Sequence, residues 1–125
     1  MHRSQLGGFI VDCEGADPDE AAAFWSAALG WRALPQTDPN DTEYRALETK
    51  PDDLYVEVQR VDHPSRVHLD IESDDIQAEV QRLEALGAKR IADIKSWVVM
   101  EAPTGQRFCV VPPRRANFAD NANQW

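Results

Sequence analysis

Residues 17–31, DPDEAAAFWSAALGW, spell out both ends of a helix. Asp17 offers a side-chain acceptor to the first free N–H groups, Pro18 suits the first helical position, and Glu20 stands three residues after the cap. Ala21, Phe24, Trp25 and Ala28 recur at helical spacing as an apolar stripe. Leu29-Gly30 ends the run, because glycine accepts the left-handed backbone that closes a helix. The spacing predicts a helix over 18–29.

The same arrangement returns further along. Asp74 stands as cap with Gln77 three residues later, Ile76, Val80, Leu83 and Leu86 form the apolar stripe, and Gly87 is the stop, which predicts a helix over 75–86. Asp17 and Asp74 are 57 residues apart, and so are Leu29-Gly30 and Leu86-Gly87. Equal offsets at both ends mark a duplicated unit. A strand-like run precedes each helix, GGFIVDC at 7–13 and RVHLDIE at 66–72. Three more follow each: 31–35, 43–49 and 54–60, then 89–94, 96–102 and 106–112. Turn residues separate them, TDPND and KPDD in one half and PTGQ in the other. Each half therefore reads βαβββ, module one over 7–60 and module two over 66–112, with a tail at 113–125 that reads as loop, from which Phe118 and Trp125 could dock on the domain or a second subunit.

A sheet covered by a helix on one face must meet something on the other. Two four-stranded sheets side by side form a cupped, mixed α+β surface, and its concave wall suits a small molecule. With 125 residues there is material for one domain, 7–112. The net charge of −9 repels phosphate backbones and anionic membranes, so neither nucleic acid nor membrane is an expected partner. No apolar run reaches the ~20 residues of a membrane span. The N-terminal MHRSQLGG lacks the apolar core of a signal peptide. Cys13 and Cys109 lie in apolar contexts without CxxC spacing, as buried free thiols do in a reducing cytoplasm.

The paired modules, the 17–31 stretch, VHLDIESDDIQAEVQRLEALGA at 67–88 and WVVMEAPTGQRFCVVP at 97–112 together resemble the glyoxalase-like branch of the vicinal oxygen chelate superfamily, the glyoxalase/bleomycin resistance/dioxygenase fold. The resemblance covers about residues 7–112. It implies a cup-bound small molecule, a dimer and, in metal-using members, one ligand from the first and one from the last strand of each module. Those positions fall on His68 and Glu57, whose types match, and on Gly8 and Cys109, whose types depart from the usual ligands. A glycine offers no side-chain donor.

Strand parity supports two of these positions. In LYVEVQ, Leu54, Val56 and Val58 take the helix side and Tyr55, Glu57 and Gln59 the cup side. Val67, Leu69 and Ile71 go against helix two, leaving His68, Asp70 and Glu72 on the cup side. Imidazole and carboxylate both bind zinc, nickel, manganese or iron, and Cys109 could add a thiolate. Cys109 between Phe108 and Val110 also reads as an ordinary core residue.

Three functional expectations follow. The first is a protein that binds a small organic molecule in the cup without a complete metal site, and so without a resident cofactor. The second is a metal-dependent lyase or isomerase using Glu57 and His68 as catalytic and metal-binding groups, with Cys109 or water completing the shell. The third is a non-catalytic partner-binding domain. Extradiol dioxygenase chemistry needs two histidines and a carboxylate, and one of the three is kept here. Tyr55, Trp97 and Asp70 are the expected ligand contacts, with Asp12 and Glu72 as further polar candidates and Trp25 in helix packing. His2 and His63 read as an exposed terminus and loop. The expected assembly is a cytoplasmic homodimer.

Overall fold

The computed structural model describes residues 1–125 and is mixed α+β. The chain falls into two compact units, Phe9–Val67 and Met1–Gly8 with His68–Trp125, here the first and second units. The boundary differs from that expected at 60–66 in one respect. Strand β1 (Arg3–Glu14) gives its first residues to the second unit and the rest to the first.

In the first unit, α1 (Pro18–Leu29) starts where expected. The Asp17 carboxylate accepts from the Asp19 N–H at 2.9 Å. It ends at Gly30, whose φ of 75° is the left-handed backbone that glycine takes without strain. Strands β2 (Tyr44–Ala46) and β3 (Tyr55–Val61) pair antiparallel, Arg45 opposite Val58 and Ala46 opposite Glu57. The Arg45 guanidinium reaches Asp19 of α1 at 2.7 Å, so Arg45 and Val58 mark the helix side of this sheet.

Two expectations fail in this unit. The run at 31–35 is a single bridge, Ala33 to Leu47, because Pro35 has no N–H to carry the ladder on. The stripe Ala21, Phe24, Trp25, Ala28 is not what α1 buries. Ala22 is its buried residue, and Phe24 is 62% exposed, edge-on to Trp25 at 5.1 Å. A three-residue β2 offers little width, so the small Ala22 makes the close approach and the bulky ring stays outside.

The second unit's sheet runs in the order β1, β4 (Arg66–Ser73), β7 (Arg107–Val111), β6 (Trp97–Glu101), β5 (Lys89–Ile94). Strands β4 and β7 run parallel, with Asp70 opposite Cys109 and Ile71 opposite Val110. The β5–β6 and β6–β7 pairs are antiparallel. Helix α2 (Ile76–Ala85) lays Val80 and Leu83 on Val98, Met100, Phe108 and Val110, with Ile71, Ile76, Ala88 and Ala102 at the margin. The helix begins one residue later than expected. Asp75 is the cap, accepting from the Ala78 N–H at 3.0 Å, while Asp74 accepts from the Arg3 N–H at 2.8 Å.

Of the β4 residues expected under α2, only Ile71 packs there. Val67 and Leu69 are 60% and 43% exposed. Ten helical residues span about 15 Å and eight strand residues about 26 Å, so one end of the strand outruns its cover.

The tail is not a loop. It forms α3 (Phe118–Asn121) and β8 (Asn123–Gln124), which pairs antiparallel with Arg3 and Ser4 of β1. The Trp125 indole N–H donates to Ser4 Oγ at 2.8 Å, and the Arg82 guanidinium lies 3.7 Å from that ring's centre. No helix is long and apolar enough to cross a membrane.

Candidate functional site

In the second unit, Ile71, Phe108, Val110, Val98 and Met100 point into the core under α2. Alternation therefore turns His68, Asp70 and Glu72 of β4, Cys109 of β7 and Trp97 of β6 to the opposite, helix-free face. The parallel register sets Asp70 beside Cys109, and Cys109 in turn faces Val99 across β6. His68 stands two residues before Asp70 on the same strand.

This arrangement gathers three different donors. His68 Nε2 lies 3.5 Å from Asp70 Oδ1, and the donor atoms of His68, Asp70 and Cys109 all lie within 4.8 Å of one another. The His68 and Asp70 side chains are 11% and 7% exposed, and Cys109 is buried. Polar groups withdrawn from water this far need partners of their own. His68 and Asp70 face each other along β4, and the Cys109 sulfur lies beside them on β7.

Glu72 shares the face but is committed elsewhere. Its fully buried carboxylate accepts from the Arg114 and Arg115 N–H groups at 2.9 and 3.2 Å and from Gln5 Nε2 at 2.6 Å. It anchors the tail and is no longer a candidate ligand contact. Trp97 is half-buried on this face, with Lys95 Nζ 5.9 Å from its ring. Arg107, two residues before Cys109, is paired to Glu101 at 3.2 Å.

Tyr55 and Glu57 belong to the first unit. On β3 they share the face away from Val58, Tyr55 buried and Glu57 half-buried opposite Ala46. Asp12, also in that unit, is buried, its Oδ2 3.8 Å from Arg66 Nε and 4.0 Å from Nε2 of the partly exposed His63. Burial and the adjacent Asp12 charge push the Cys13 thiol up. Both cysteines are free.

His2 is a correction: it is not an exposed terminal residue. Its Nε2 sits 2.8 Å from Oε1 of the fully buried Glu79, which also takes both arms of Arg82 at 2.8 and 2.9 Å. Burial raises the Glu79 pKa, but hydrogen bonds from Arg82, Ser4 and His2 outweigh it and hold the group at about 2. A residue two places from the start of a chain carries no sequence signal of such a partner. The pairing of Asp70 with Cys109 was equally hidden, since the parallel register that makes it joins strands separated by a helix and two other strands.

Three ligands of this kind fit a divalent ion. Metal–ligand bonds of 2.0–2.3 Å place tetrahedral donors about 3.4–3.6 Å apart, close to the His68–Asp70 separation. The chemistry of the set, one nitrogen, one oxygen and one sulfur, suits zinc better than magnesium or manganese.

A family model described as a glyoxalase-like domain matches residues 8–111. Among solved structures, the chain is similar to the Mn(II)-bound glyoxalase from Novosphingobium aromaticivorans at 17% identity and a TM-score of 0.64, covering 91% of this chain and 40% of that one. The chain thus spans less than half the length of that glyoxalase. It is also similar to methylmalonyl-CoA epimerase from Mycobacterium tuberculosis, at 15% identity, TM-score 0.62, and 86% and 89% coverage of the two chains. A glyoxalase/bleomycin resistance protein/dioxygenase superfamily member from Vibrio splendidus 12B01 matches at 20% identity, TM-score 0.52, and 85% and 99% coverage. No curated protein matches at a significant level. At these identities the likeness is one of fold.

Proposed function

The chain belongs to the family of glyoxalase-like domains, and on that footing we propose that it binds a small organic molecule on the helix-free face of the second unit's sheet. The observation that carries this reading is the convergence of His68, Asp70 and Cys109 within 4.8 Å on the face turned away from the core. Such a cluster can meet the oxygen atoms of a ligand through imidazole, carboxylate and thiol at once. Trp97 supplies flat apolar area beside it.

Thermal denaturation against a panel of small carbonyl compounds and hydroxy acids tests this. A bound ligand at a hundred times its Kd adds about 2.7 kcal/mol and raises Tm by several degrees. His68→Ala and Asp70→Asn should abolish the shift. No shift from any compound, or a shift untouched by both substitutions, overturns the reading.

A second reading, a lyase or isomerase of glyoxalase type, is favoured by the mixed donor set. A divalent ion there would supply Lewis-acid stabilisation of an enediolate-type oxyanion. His68, Asp70 and Cys109 would hold it, and Trp97 would flank the bound organic group. Glu57 and Tyr55 lie on β3 of the first unit. Elemental analysis after purification without chelator separates the readings: a stoichiometric metal lost in His68→Ala favours the second, and none after incubation with zinc, nickel, manganese and iron removes it.

The same reading makes the protein a cytoplasmic homodimer. Phe24, Leu29 and Trp31 are each exposed large apolar side chains in and just after α1, which supports self-association there. Light scattering on wild type and Phe24→Asp measures it, a monomeric wild type being the contrary result.

A further inference from the structure

We infer that the molecule taken by the second unit's helix-free face is a small α-hydroxy or α-keto acid with an apolar chain or ring. It lies across the strands, its polar end on β4 and its apolar end over β6 and β5. This rests on the reading that this face binds a small organic molecule, and it names the class of that molecule.

The strand register fixes what stands beside what. Asp70 of β4 pairs with Cys109 of β7, Cys109 with Val99 of β6, and Val99 with Ala92 of β5. Paired residues of neighbouring strands turn their side chains to the same face, so these form one row across the sheet. Trp97 pairs with Ile94 in the row on one side of it, and Arg107 with Glu101 in the row on the other. Arg90, opposite the core residue Met100, reaches Gln77 of α2 at 2.7 Å, as this phase of β5 requires.

The face is divided by polarity. Strand β4 presents His68 and Asp70, whereas β6 and β5 present Trp97, Val99 and Ala92, all half-buried, and Ile94, which is 41% exposed. At about 4.8 Å per strand, Asp70 stands about 10 Å from Val99 and about 14 Å from Ala92. That span suits a short alkyl chain or a phenyl group.

The tail sets the direction. Beyond Asp70 on β4, the Glu72 carboxylate is fully buried and already accepts from the Arg114 and Arg115 N–H groups and from Gln5. A ligand headed at His68 and Asp70 meets the tail if it extends along β4 towards Glu72, and its open course runs across the strands.

Charge selects an acid. His68 precedes Leu69 as Arg107 precedes Phe108, so the parallel register sets Arg107 beside His68. The Arg107 guanidinium donates to Glu101 through Nε alone, at 3.2 Å, which keeps its two terminal nitrogens for another carboxylate. Lys89, opposite Glu101, adds a second cation, and this row is net positive on an otherwise acidic chain. Arg107 and His68 can then meet the adjacent carboxylate and α-oxygen of one ligand.

The test is titration calorimetry of the full chain with lactate, α-hydroxyhexanoate, α-hydroxyoctanoate and its methyl ester. Kd should tighten about twofold or more for each methylene added beyond lactate. The ester should bind at least about tenfold more weakly than the acid. Trp97→Ala should cost α-hydroxyoctanoate about tenfold and lactate less than about twofold. Arg107→Gln should bring acid and ester within about twofold of each other while keeping the dependence on length.

Circular dichroism of each variant separates a lost contact from a lost fold. If Trp97→Ala does not fold, the nearly isosteric Val99→Thr is the arbiter and should weaken α-hydroxyoctanoate by about threefold. Affinity that ignores chain length, that survives both substitutions, or that is equal for acid and ester overturns the inference. If binding of that kind is still abolished by His68→Ala, the small-molecule reading stands without it. No binding of these acids beside a thermal shift from another compound sinks this inference alone, and no shift from any compound sinks both.

Discussion

The two repeats end their helices in the same way and bury different things beneath them. Trp31 N–H bonds to Ser26 C=O in the first, and Ala88 N–H to Leu83 C=O in the second, both pairs displaced by 57 residues. At the same offset, the buried Ala22 of α1 corresponds to the buried Glu79 of α2. An alanine needs no partner. A carboxylate does, and it finds His2, Arg82 and Ser4 through the chain's two ends folding onto that unit. Duplication preserved the backbone device while the buried positions took on separate work.

The sharpest way to break this contrast is Glu79→Ala, which leaves Arg82 and His2 without their buried counter-charge. It should cost about 3–5 kcal/mol in urea denaturation. The pH dependence carries the same signature. Glu79 sits at about 2 in the folded protein against an ordinary 4.5, so the carboxylate's contribution is complete above pH 4.5 and is lost as pH falls towards 2. Glu79→Gln should flatten Tm over that window; an unchanged acid slope would show that Glu79 is not the controlling group.

Next in size is the core. Met100 is fully buried in the α2 cluster, and Met100→Ala should cost about 3 kcal/mol. Val58, fully buried in the first unit, is smaller, and Val58→Ala should cost about 2 kcal/mol. Equal losses would mean that the two units are packed alike after all.

The smallest effects test the caps. Asp17→Ala and Asp75→Ala should each lower stability by about 1 kcal/mol. Asp74→Ala should leave α2 capped and lose only the bond to the Arg3 N–H. If Asp74→Ala melts the helix and Asp75→Ala does not, the cap belongs one residue earlier.

Much of the fold was legible because local signals carried it. The α1 boundaries follow from Asp17, Pro18 and Gly30, the repeat from the recurrence of Leu-Gly, and the strands of module two from alternation and turn residues. What escaped depended on partners distant in sequence. Asp74 and Asp75 are equivalent as caps until Arg3 arrives to take one of them. The tail reads as polar loop because the groups that order it, Glu72, Gln5 and Ser4, lie 42 to 121 residues away. His68 was legible as a face-directed residue, but its joining with Asp70 and Cys109 needed the β4–β7 register.

Strand β1 passes from one unit to the other between Gly8 and Phe9, and β4 does so between Val67 and His68. The first unit is therefore one continuous length, Phe9–Val67, whereas the second is assembled from two separated lengths, Met1–Gly8 and His68–Trp125. A peptide beginning at Arg66 would lack the β1 residues on which β8 and the Trp125 indole close. The duplication visible in the letters cannot be reversed with scissors: a fragment that starts at the repeat boundary lacks the Met1–Gly8 segment of the second unit and should fold only when the preceding half is expressed with it.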